Sequence, residues 1–119
     1  MVRLVVSALL CLYPLAAAAD PPEIVGAKAT PTGAVWRVEV TLSHPDTGWE
    51  HYADGWEILA PDGSRLGFRE LLHPHVDEQP FTRALSGVAI PDGVNKVTIR
   101  ARCSRDGWSD DTYTLPLTR

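Results

Sequence analysis

The chain has 119 residues, enough for one domain, and a formal charge of −4 from 11 basic and 15 acidic side chains. Its basic residues are scattered, with Arg100, Arg102 and Arg105 the only local group. That mild acidity excludes a general attraction to nucleic acid or to anionic lipid.

Residues 1–19 differ in kind from the rest. Met1-Val2-Arg3 carries one positive charge, Leu4 to Leu15 is almost wholly apolar, and Ala16 to Ala19 ends in an A-x-A pattern. This is the layout of a secretory signal peptide, with cleavage expected between Ala19 and Asp20. The apolar run falls short of the roughly 20 residues that a membrane-spanning helix needs, so no membrane span is expected after cleavage. Cys11 follows Leu10 and not the small residue that lipoprotein signals carry, which argues against lipidation. The expected product is one domain over residues 20–119, periplasmic or secreted, its charge −5 once Arg3 is gone. Cleavage leaves Cys103 as the only thiol and forbids an intramolecular disulfide. An unpaired thiol in an oxidising compartment calls for a reason: burial, pairing between chains, or metal ligation.

Asp20 to Pro22 is an extended leader, and Glu23 to Thr30 reads as a first strand before a turn at Pro31-Thr32-Gly33. Ala34 to His44 has the clearest periodicity. Ala34, Trp36, Val38, Val40 and Leu42 alternate with more polar partners, which predicts a strand buried on one face, with His44 ending the buried row. Pro45 to Asp54 is a loop rich in aromatic residues. Gly55 to Ala60 predicts a strand, closed by the turn Pro61-Asp62-Gly63-Ser64. Alternation resumes from Leu66 to His75, where Pro74 marks an edge or an exit from the sheet. Phe81 to Ile90 and Asn95 to Ser104 predict two more strands, the second with Val97, Ile99, Ala101 and Cys103 inward. Arg105 to Asp111 reads as a loop, and Asp111 to Arg119 closes the chain.

About seven short strands at intervals of roughly ten residues, with no helical periodicity, predict an all-β fold: a single immunoglobulin-like β-sandwich, with a small β-barrel as the alternative. The stretch VTIRARCSRDGWSDDTYTL resembles the final hairpin of fibronectin type III domains, which implies a fibronectin type III-like sandwich. HPDTGWEHYADGWE and LLHPHVDEQPFTR are similar to small secreted bacterial proteins of unassigned function, a resemblance that implies no activity.

Chemistry is concentrated between His44 and Pro80. His73 and His75, two apart in extended chain, project to the same side and can converge on one ion. With His51 and His44 they make a candidate copper or zinc site, since such ions take three or four ligands from more than one segment. A solvated histidine-bearing strand end is the competing reading. A two-histidine, one-cysteine copper site is not expected, because no histidine follows Cys103 and the only methionine is Met1. Cys103 is expected to be buried and inert. The alternative functional surface is an aromatic platform of Trp49, Tyr52, Trp56 and Trp108 beside Glu50, suited to a protein or glycan partner. Against it, Trp56 would serve as core, with Trp49 and Trp108 capping the ends. Catalysis lacks a signature: Ser86-Gly87 has no nucleophile-elbow context, and Glu50 with Glu57 would need a groove that so short a chain rarely provides. A non-enzymatic binding or accessory module is therefore expected.

Overall fold

The computed structural model describes residues 20–119, so the expected cleavage site, its leader and Cys11 lie outside the described residues. Eight strands follow in order: β1 (Glu23–Thr32), β2 (Val35–Ser43), β3 (Ala53–Leu59), β4 (Arg65–Glu70), β5 (Phe81–Val88), β6 (Lys96–Cys103), β7 (Gly107–Trp108) and β8 (Tyr113–Pro116). Among the described residues there is no helix. Every pairing is antiparallel. One sheet has three strands in the order β1-β2-β5. The other runs β4-β3-β6, with β7 and β8 both paired to β6.

The alternating rows decide how the sheets meet. Trp36, Val38, Val40 and Leu42 of β2 and Phe81 and Val88 of β5 are buried from one side. Trp56 and Ile58 of β3, Val97, Ile99 and Ala101 of β6, and Leu115 of β8 are buried from the other. All belong to one hydrophobic cluster, as a two-sheet sandwich requires. Period-two patterning therefore carries β2 and β6 into the core on one face only.

Several boundaries differ from expectation: β1 runs on through Pro31 and Thr32, β3 starts at Ala53, and β5 ends at Val88. The strand expected from Leu66 to His75 ends at Glu70, and Leu71 to Pro80 leaves the sheet, so His73 and His75 are not on a strand. The chain nevertheless keeps Leu71 buried and leaves Leu72 67% exposed. Gly107-Trp108, expected in a loop, forms the short strand β7 because Arg102↔Trp108 and Cys103↔Gly107 pair across a tight turn. The last strand is confined to Tyr113–Pro116 and lies beside the first half of β6, with Val97↔Leu115 and Ile99↔Tyr113 opposed.

Candidate metal centre

Three loop-proximal strand ends converge at one place. β2 stops at Ser43 ahead of Pro45, which has no N–H to give a ladder. The Asp46 N–H donates to the His44 carbonyl at 2.8 Å, a three-residue turn around Pro45 that suits the fixed proline φ. The turn brings Asp46 back on His44: Oδ1 accepts from His44 Nδ1 at 2.5 Å and from the Ala53 N–H at 2.9 Å. Oδ2 accepts from the His75 N–H at 2.8 Å. A buried carboxylate thus collects three donors from three segments.

The next turn places His51. Thr47 N–H donates to the His51 carbonyl at 3.0 Å, and His51 N–H to the Gly48 carbonyl at 3.2 Å, around a bridge between Gly48 and His51. Gly48 has φ 145°, which L side chains rarely adopt, and a Cβ there would come within 2.8 Å of Glu50 Oε2. β3 follows at once, paired with β6 so that Ala53 stands opposite Cys103. The Ser104 N–H donates to the Tyr52 carbonyl at 2.9 Å. The register and the Gly48 turn together set His51 close to Cys103.

His44, His51 and Cys103, all buried, offer one ligand atom each within 4.8 Å of one another, the only such group found among the described residues. The two imidazoles meet edge to face with centroids 4.7 Å apart. An ionised carboxylate can only accept, so Asp46 holds the proton of His44 on Nδ1 and leaves Nε2 with a free lone pair. His44 Nε2 and His51 Nε2 are both buried without a hydrogen-bond partner. Such orphaned atoms are costly unless something else engages them. The Cys103 sulfur is fully buried, accepts from the Asp106 N–H at 3.3 Å, and donates its S–H to Asp106 Oδ2 at 3.6 Å.

Two imidazoles and a thiol are donors for zinc or copper. Zn–N near 2.0–2.1 Å and Zn–S near 2.3 Å imply donor separations of about 3.3–3.6 Å around a tetrahedral ion. The group is already gathered to within roughly 1.2–1.5 Å of that spacing. The Asp46–His44 bond has the form of the carboxylate–histidine contact that orients ligands from behind.

The predicted four-histidine set is thereby divided. His44 and His51 come together, but with Cys103. His73 and His75 pair separately, with ring centroids 4.5 Å apart. His73 is exposed, and its Nδ1 donates to the Pro74 carbonyl at 3.0 Å. His75 is buried, stacks on Phe81 and accepts at Nε2 from Arg83 at 2.8 Å, so that nitrogen is already used. The sequence argument against two histidines and a cysteine also gives way. It depended on chain order, whereas strand pairing brings two preceding histidines to Cys103. One signal was available: His44 and Cys103 each end an inward-facing row.

The aromatic platform does not form as one surface. Trp56 has no exposed surface and belongs to the core. Trp108 packs edge to face on Phe68 beneath Arg65, Arg100 and Arg102. Only Trp49, 67% exposed, and Tyr52 remain as a pair, their rings 5.6 Å apart, with exposed Glu50 folded toward Gly48.

This chain is 40% identical over 76 residues to a protein of Halomicrobium mukohataei named "Putative lipoprotein". The match covers 64% of this chain and 37% of that relative's length. No family model and no solved structure matches.

Proposed function

We propose that this chain is an extracytoplasmic, non-enzymatic binding module on an immunoglobulin-like sandwich, holding a zinc- or copper-class ion on His44, His51 and Cys103. The observation that carries the reading is the convergence of two buried imidazole nitrogens, neither with a hydrogen-bond partner, on a buried thiol. Burial of all three donors favours holding over catalysis, because it limits a substrate's access to an ion held there. Support for the fold subtype is the strand order: β1-β2-β5 against β4-β3-β6 with the last strands on β6 corresponds to A-B-E against C′-C-F-G. Support for the location is the leader-like start of the sequence and the name of the relative.

The test is thermal unfolding of metal-free protein with and without Zn(II) or Cu(I) in excess. An ion that binds only the folded state at a hundred times its Kd adds about 2.7 kcal/mol. His44→Ala, His51→Ala and Cys103→Ser should each abolish the rise in Tm, and His73→Ala should keep it. Equal shifts in parent and His51→Ala, or none in the parent, would refute this centre.

A further inference from the structure

We infer that Asp106 is the fourth ligand of this centre and makes it a site for a tetrahedral divalent ion, Zn(II), in preference to Cu(I). The inference rests on the His44–His51–Cys103 reading. Asp106 sits in the turn between β6 and β7, whose return needs Gly107 at φ 75°. Its Oδ2 is 3.8 Å from His51 Nε2, too far for a hydrogen bond, and 3.6 Å from Cys103 Sγ. Both distances are close to the donor–donor spacing of about 3.3–3.6 Å around tetrahedral zinc. Asp106 stands outside the mutual group formed with His44, so its carboxylate has to swing toward His44 as an ion enters.

Charge gives the choice of ion. Two neutral imidazoles and one thiolate balance Cu(I) and leave a divalent ion one charge in excess. Adding the Asp106 carboxylate makes Zn(II) neutral and would leave Cu(I) with a net negative charge beside three buried donors, which is unfavourable. Carboxylate oxygen is also a customary zinc ligand, whereas Cu(I) is selected by soft sulfur. Access agrees with this role. The Asp106 side chain is 39% exposed, against 8% for His51, and Asp106 lines a surface depression with Trp108, Ser109, Asp110 and Asp111. The carboxylate thus joins solvent to the buried donors.

The experiment compares the full chain with Asp106→Asn, which keeps the side-chain size and the backbone N–H that faces Cys103. Zn(II) and Cu(I) affinities are measured by chelator competition, and Co(II) is used as a spectroscopic stand-in for zinc. The parent should show sulfur-to-cobalt charge transfer with the intense d–d bands of four-coordinate Co(II). In Asp106→Asn, Zn(II) affinity should fall about tenfold or more, the d–d bands should change, and Cu(I) affinity should hold or rise. Unchanged Zn(II) affinity and an unchanged cobalt spectrum, with His51→Ala still abolishing both, would remove Asp106 from the centre and leave the centre itself standing. Equal loss of Zn(II) and Cu(I) would refute its role in choosing the ion. A parent that binds neither would overturn this inference and the reading beneath it together.

Discussion

At the scale of single residues, His75 is a buried imidazole with Nε2 engaged by Arg83 and Nδ1 without a hydrogen-bond partner. Its ring lies on Phe81 with centroids 3.8 Å apart and Nε2 held by Arg83, while its N–H anchors Asp46. Loss of water, then the Arg83 charge and then His73, hold its pKa below the ordinary 6.5, with Asp46 and Glu78 opposing. The sign follows from proton binding. Below about pH 6.5 the unfolded chain takes up a proton that the folded His75 resists, so stability falls as pH drops through that value toward the folded pKa. Tm should therefore decrease between pH 7.5 and pH 5.5, and His75→Gln should show a smaller decrease. Equal decreases in the two proteins would place the titrating group elsewhere. The same-side projection of His73 and His75 was legible in their spacing. That Arg83 and Phe81 would claim one ring was not, because those partners arrive from β5.

At the scale of elements, β3 carries a charge where its alternation would put solvent. Glu57 faces away from the core yet is only 2% exposed. Arg65 of β4 donates to Oε2 at 2.8 Å, and Arg100, its direct partner on β6, donates to Oε1 at 2.6 and 2.9 Å. The guanidinium groups of Arg65 and Arg100 in turn lie 5.7 and 4.8 Å from the Trp108 ring. A lost carboxylate here leaves two arginines facing each other across β3. Breaking a buried pair costs about 3–5 kcal/mol, reduced here because Arg65 is half exposed. Glu57→Ala should cost about 2–3 kcal/mol in urea unfolding, whereas Glu39→Ala, which breaks an exposed pair with Arg37, should cost no more than about 1 kcal/mol. Similar values for the two would mean that burial of Glu57 adds nothing to the cost of losing its arginine partners. β7 belongs to this scale too. Two residues carry no periodicity, so Gly107-Trp108 becomes a strand only through its pairing with β6.

At the scale of the molecule, the thiol reports on the whole sandwich. Cys103 is fully buried at the end of a central strand, so a thiol reagent reaches it only when the structure opens. Labelling should be slow in the native state, fast in denaturant, and slower again with Zn(II) present. Rapid labelling of native protein, or a disulfide-linked dimer on a non-reducing gel, would place the sulfur at the surface.

The sequence by itself determined the inward rows of β2 and β6, because a period of two in apolar residues can be satisfied only by burying one face of a strand. With those rows it determined that His44 and Cys103 would each lie at the end of a buried face. Only the tertiary structure decided that these ends meet. That depends on the register Ala53↔Cys103, on the turn at Pro45 that returns Asp46 to His44, and on the Gly48 turn that delivers His51. The register joins segments far apart in the chain, whereas the two turns are local and bring their side chains to Cys103 only through it. Local patterning says which way a side chain points, while pairing between strands says what it points at.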